Sequence, residues 1–405
     1  VFSNSRFIKF NKLTAVLSVL LTVAIAETTV FTTIASSNNL HPLEVTQPDP
    51  LLPPASSDRP LSDFEISRIE REIERIDRQA KARLATGNVE GAFTLWYREL
   101  RLQRAVGNLA EVSALGRIGS IAWQQNRGFD LRAMSKRLTE IHTAAAAKNN
   151  LTTALLQELG TAYRKIRYLD RAIDIYRQMV ERVGATEDLK SEREYLEILG
   201  TLYLDLFNYA EAAKVYEELL AKFNSKRSPD LADNEAVYLN KLATIYDRNK
   251  QLNRAIAVKK RLAEKYTREQ NIKELAAIEL DIARDYKELN SPKKAINYYR
   301  QAYSLAANTQ QLALATEALS ALALLYQQQE QINKAIATYQ QQIKLQQQAY
   351  DYYGWMETCD RLGKIYRDLN DYDRAKFFYQ QGLKLALSLN YRVNYFTNQI
   401  EQIKR

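Results

Sequence analysis

From residue 62 to the end of the chain, apolar residues recur three and four positions apart. Residues 156, 159, 160 and 163 are apolar or small at i, i+3, i+4 and i+7, which is one face of a helix. A polar turn follows, then a second amphipathic stretch with Ala172 and Tyr176 four apart. The pattern predicts two helices, and the chain repeats it. Residues 159–180 read LGTAYRKIRYLDRAIDIYRQMV, 199–220 read LGTLYLDLFNYAEAAKVYEELL, and 362–383 read LGKIYRDLNDYDRAKFFYQQGL. Segments 242–263, 282–303 and 322–343 share the frame: an apolar residue, Gly or Ala, Tyr three on, Ala nine further, then an aromatic four after that, except Lys259 in the first of these three. Tyr163, Tyr203, Tyr246, Tyr286, Tyr326 and Tyr366 fill one slot; Ala172, Ala212, Ala255, Ala295, Ala335 and Ala375 fill another. Two weaker copies precede them, with the small residue at Ala92 and Ala133. Spacings along this ladder are 41, 39, 40, 43, 40, 40 and 40.

A fixed period near 40 is the signature of stacked helical repeats. Gly and Ala in the paired positions let two helices approach closely, and the tyrosines fill the space beside them. The expected fold is all-α: an α-solenoid of about eight helix pairs. Ser291 before Pro292 predicts an N-cap and a first-turn proline. The spacing of 43 predicts the longest inter-repeat loop at residues 223–233. Lys259, in the slot filled by Tyr216 and Tyr299, predicts a looser unit there. Leu389, Val393, Phe396, Ile400 and Ile403 form an apolar stripe, so residues 388–405 read as a capping helix closing a solenoid of 62–387.

Composition supports this reading. Twelve Gly and eight Pro in 405 residues are too few for the turns of a sandwich or barrel. One cysteine excludes an intrachain disulfide framework, and two histidines leave little for acid–base or metal chemistry.

The repeats resemble the tetratricopeptide repeat (TPR) family over residues 62–390, through the apolar–Gly/Ala–x–x–Tyr block and the Ala–x–x–x–Tyr block. The resemblance implies a right-handed solenoid whose first helices line a concave wall. The period of 40 departs from the family's 34, and the family's proline at the repeat end is missing; longer helices explain both. The family's carboxylate clamp is not matched, because Thr stands where its Asn would. The layout with a WYREL…LGRIGSIAW block at 96–123 resembles exported cyanobacterial TPR proteins.

The N-terminus reads as an export signal. Arg6, Lys9 and Lys12 precede the fourteen-residue run LTAVLSVLLTVAIA, Leu13 to Ala26, which ends in a small-x-small pattern. Cleavage after Ala26 would start the mature chain at Glu27, in a periplasm or thylakoid lumen. The alternative is an uncleaved membrane anchor. Cleavage would lower the net charge from +9 to 9 − 3 = +6, too weak and dispersed to argue nucleic acid. Six prolines between residues 42 and 60 predict a disordered linker over 27–61.

No phosphate-loop, dinucleotide or metalloprotease motif occurs, so no catalytic residue, metal or cofactor is expected. His142 reads as a partly exposed helix histidine. Cys359 takes the slot of Leu156, Leu196, Leu239 and Leu319, a small core residue. The glutamine-rich stretch 327–348 reads as a solvated helix face, and the tyrosine ladder as packing, not base stacking. The expected binding wall comes from positions two before, two after and five after the Gly/Ala-preceding residue. It carries Arg164; Glu197 and Thr201; Asn240, Thr244 and Asp247; Arg284 and Lys287; Lys364 and Arg367. Its C-terminal half has a basic tendency, suiting an acidic or polar peptide. The function expected is an exported protein-interaction scaffold or assembly factor. A peptide-sensing regulator is the alternative.

Overall fold

The computed structural model describes residues 41–44, 48–53, 59–186, 188–222 and 234–403. The expected export segment 1–26, the cleavage point before Glu27 and the loop 223–233 lie outside these residues. Among the described residues there are seventeen helices and no strand. The chain divides into two compact units, residues 1–175 and 176–405. The first holds α1 (Asp63–Ala85), α2 (Val89–Val106), α3 (Asn108–Gln124), α4 (Gly128–Ala147) and α5 (Thr153–Lys165); the division falls within α6 (Leu169–Gly184). The second holds α7 (Leu189–Asp205), α8 (Tyr209–Lys222), α9 (Glu235–Arg248), α10 (Leu252–Arg268), α11 (Ile272–Glu288) and α12 (Pro292–Asn308). It continues with α13 (Leu312–Gln328), α14 (Ile332–Gln348), α15 (Tyr352–Asp368), α16 (Tyr372–Leu389) and α17 (Val393–Ile403). Within the second unit each helix packs on the next, and the odd-numbered α11 also touches α13. The architecture is an all-α, TPR-like solenoid.

The two ladders form the core. All six repeat tyrosines are buried, as are Ala92 and the alanines from Ala172 to Ala375. The close approach is direct: a Cβ on Gly200 would lie 2.9 Å from the Tyr216 ring, and one on Gly363 would lie 2.6 Å from the Tyr379 ring. Small residue and tyrosine therefore interlock within one helix pair, and added volume would overpack the contact. In the second copy the ladder residue is Leu131, which is buried, and not Ala133, which is only half-buried. Leu131 holds the fourth position of α4, as Ala172 does in α6.

The turn inside each pair has one construction. The residue five before the ladder position has a left-handed backbone: Gly87, Asn126, Arg167, Phe207, Lys250, Asn290, Glu330 and Asn370. The next amide closes a six-to-one bond, as from Asn208 to the carbonyl of Tyr203 (2.8 Å) and from Ser291 to that of Tyr286 (2.8 Å). This is the Schellman ending of a helix, usually served by glycine. Here one of the eight sites is glycine, which is how the fold forms from so few glycines.

Several local expectations are corrected. Lys259 does not loosen its unit: it is 3% exposed, and its Nζ lies 2.9 Å from Asp247 and 2.7 Å from Asp285. Ser291 sits at the N-cap of α12, but its hydroxyl makes no capping bond; the proline alone supplies the start. The described parts of the expected disordered linker are docked on the first unit. His41 Nε2 lies 2.8 Å from Asp130, the Leu43 amide donates to His41 Nδ1 (3.1 Å), and Arg98 Nε lies 2.7 Å from Asp49. Polar partners on α2 and α4 thus hold residues that a proline count marks as unstructured. The last helix α17 seats Phe396 against Gly382, where a Cβ would be 2.3 Å from the ring. Leu389, expected in that apolar stripe, ends α16 and is partly exposed.

Candidate functional site

The wall positions sit on the odd-numbered helices. Within the second unit, side chains at or beside these positions bridge α7 to α9, α11 to α13, and α13 to α15. The Tyr238 hydroxyl on α9 donates to Glu197 on α7; burial, then the Glu197 carboxylate, pushes that phenol's pKa up. Arg284 on α11 pairs with Glu317 on α13, and Arg361 on α15 donates to Ser320 Oγ on α13 at 3.2 Å. A polar surface therefore runs from repeat to repeat. Short side chains leave much of it open: Thr201 and Thr244 are exposed and spend their hydroxyls on the carbonyls of Glu197 and Asn240, each at 2.9 Å. Asn240 is exposed and donates to the Tyr266 hydroxyl (3.3 Å). Lys287 is exposed, and Arg164, on α5 of the first unit, is exposed as well.

The basic tendency is smaller than the residue types suggest. Arg284 also pairs with Asp281 at 2.5 Å. Lys364 pairs with Asp360 at 3.0 Å, and Arg367 with Asp368 at 3.1 Å. These last two cations also face α17: Lys364 Nζ lies 5.7 Å from the Tyr395 ring, and Arg367 donates to Gln399 (3.1 Å). Asp247 is held by Lys259. Leu280 and Asp360, which fall at the position two before Ile282 and Leu362 in the same spacing, are buried. Sequence spacing assigns these residues to the first helix of each pair, where they lie, but it cannot see cations already consumed by neighbours one repeat away.

The other candidates behave as packing. Cys359 is buried, and that burial pushes its thiol up to about 12, far from a reactive thiolate. His142 is half-buried on α4. Among the described residues no group of His, Cys, Asp or Glu could hold a metal ion. None of the described helices is long and apolar enough to cross a membrane.

The tetratricopeptide-repeat family profile matches residues 155–190, 281–309, 316–348 and 357–388. The chain is built from tetratricopeptide repeats. TPR proteins are generally non-enzymatic interaction scaffolds that bind protein or peptide partners. Similar solved structures include the apo form of RapI, 14% identical with a TM-score of 0.41, covering 82% of this chain and 97% of that one. A Rap protein complexed with competence and sporulation factor is 16% identical, TM-score 0.32, covering 85% and 98%. BtubC from P. vanneervenii is 20% identical, TM-score 0.38, covering 55% and 92%. Among curated proteins no match is found.

Proposed function

We propose that this TPR protein is an exported scaffold or assembly factor that captures a segment of a partner protein along its odd-numbered helices. The observation that carries this is the side-chain bridging of α7 with α9, and of α11 with α13 and α15, which links polar surface across two and three successive repeats. Exposed Thr201, Asn240, Thr244, Arg284 and Lys287 offer donors and acceptors of both kinds on that surface. Charged residues there meet a partner as members of ion-pair networks, which favour orientation over raw affinity. Export is the part of this reading that rests on sequence alone, on the basic residues and apolar run before Glu27.

The test is site-specific photocrosslinking in cells, with a benzophenone amino acid at Thr201, Thr244 or Lys287 and, separately, at Lys214 or Lys293 on even-numbered helices. Adducts confined to the first three positions support the proposal. Adducts confined to the last two would move the binding surface to the other face. N-terminal sequencing of the exported chain should begin at Glu27; an intact residue 1–26 in the membrane fraction would favour an anchor.

A further inference from the structure

Two glutamines on α14 depart from the repeats around them in the second unit. Seven and eleven positions after the ladder alanine, α10 carries Leu262 and Tyr266, α12 carries Ala302 and Ala306, and α16 carries Gly382 and Ala386. On α14 the same slots hold Gln342 and Gln346. Both are buried, 5% and 2% exposed, and Oε1 of each has no hydrogen-bond partner among the described residues. An unpaired buried amide is a standing cost to the fold, and a local rule broken at such a cost marks function.

Both side chains line a cavity of about 550 Å³ between α13, α14 and α15. Ala313, Ala349 and Gly354 keep it open. A Cβ on Gly354 would lie 2.7 Å from Gln346 Nε2 and 2.1 Å from Asp351 Oδ2. Carboxylates of Glu317, Asp351 and Glu357 line it against a single cation, Arg361. Arg361 is turned to Ser320 Oγ and lies over the Tyr339 ring at 5.9 Å. Glu317 and Glu357 receive Arg284 and Arg392 through Oε1, leaving Oε2 of each for another donor. Asp351 Oδ1 accepts from the Gly354 amide (2.8 Å), so each of the three carboxylates keeps one oxygen beyond the partner described for it.

We propose that this cavity binds a cationic nitrogen head group, with guanidinium the best match, because its planar set of five N–H donors can serve several carbonyl and carboxylate oxygens at once. The expected ligand is the opposite in charge to the acidic peptide that residue counting suggests. The proposal goes beyond partner capture along the odd helices and does not require it, since a free ligand of this chemistry would also fit.

The experiment titrates the full chain with acetyl-Gly-Arg-Gly-amide, with free arginine and with acetyl-Gly-Glu-Gly-amide. Side-chain amide NMR signals of Gln342 and Gln346 give the readout. The arginine peptide should shift both signals and saturate, while the glutamate peptide should not. Tighter binding of the blocked peptide than of free arginine would assign the source to a peptide segment; the reverse would assign it to a small molecule. The double variant Gln342→Leu with Gln346→Leu returns the repeat's apolar code, so helicity should survive and binding should weaken about tenfold or more. Ala313→Trp, an exposed change at the cavity edge, should block entry without touching the core. Equal response to both peptides, no response to the arginine peptide, or unchanged binding in both variants would overturn the proposal.

Discussion

Replacing Lys259 by tyrosine should destabilise the protein, although tyrosine is the residue other repeats use there. In those repeats Tyr176, Tyr216, Tyr299, Tyr339 and Tyr379 fill the slot, and the residue before the repeat tyrosine is Ala162, Leu202, Ile245, Leu325 or Ile365. One repeat differs at each kind of slot: Lys259 on α10 and Asp285 on α11, joined at 2.7 Å with both side chains buried. Burial works against the Lys259 charge, but hydrogen bonds to Asp247 and Asp285 outweigh it and raise its pKa. Burial pushes the Asp285 carboxyl from 3.8 up to about 6, against the pull of Lys259. The single Lys259→Tyr change strands that carboxyl, which should cost about 3–5 kcal/mol. Adding Asp285→Leu returns both positions to the repeat pattern. The double variant should be as stable as the parent, or about 1–4 kcal/mol more stable. The sign with pH follows from the raised pKa. Ionised Asp285 is disfavoured in the fold, so stability is lost as pH rises from near 4 through 6, and the single variant should recover in acid. Repeat arrays do not unfold as one two-state unit. The assay is therefore local hydrogen exchange of α10 and α11 at pH 5 and 8, alongside thermal melts. A Lys259→Tyr protein as stable as the parent at pH 8, or a double variant as unstable as the single, would refute the reasoning.

Phe207→Gly should raise stability by about 1 kcal/mol, because Phe207 is 72% exposed and holds a left-handed backbone that glycine adopts without strain; a lower melting temperature would contradict it. Ala295→Leu should cost about 1–3 kcal/mol by overpacking a fully buried site, whereas Lys344→Leu on the exposed face of α14 should cost almost nothing; equal melting points would mean that the alanine ladder is misassigned. Burial pushes Glu279 up to about 7 from 4.5, so its charge weakens the fold as pH rises through that range. Glu279→Gln should therefore gain about 1–2 kcal/mol at pH 8 and little at pH 4, with solvent screening of this partly exposed group allowed for; a gain independent of pH would point to packing instead.

The ladders of tyrosine and alanine were legible because one residue type returns every forty positions and is buried each time. Register in the second copy was not. Leu131 and Ala133 lie two apart, a preference for small residues selects Ala133, and the left-handed residue that fixes the register is Asn126, which carries no glycine signal. The Lys259–Asp285 pair was hidden for another reason. The two residues lie 26 positions apart, and each looks like a surface residue until α10 and α11 are packed. Gln342 and Gln346 could have been found by aligning their slots with Ala302 and Ala306; the glutamine-rich composition of the segment masked their burial. The candidate wall residues lie on the first helices, as their spacing implies, while the pairing of Arg284, Lys364 and Arg367 with Glu317, Asp360 and Asp368 depends on side-chain geometry that a list of positions does not hold. In the segment before α1, prolines spoke for disorder, yet His41 and Asp49 are anchored by Asp130 and Arg98.

The turns built around Arg167, Phe207, Lys250 and Glu330 lead to a different kind of consequence. Each is closed by main-chain bonds, and each left-handed side chain is exposed. Shape and vocabulary are therefore uncoupled at these places. The scaffold can rewrite what it shows at these turns, from arginine to phenylalanine to glutamate, without renegotiating its interior. A designer could treat the turns as addresses on a ruler with a forty-residue pitch, fitting a dye, a metal chelator or a docking tag at any of them with the same expected strain.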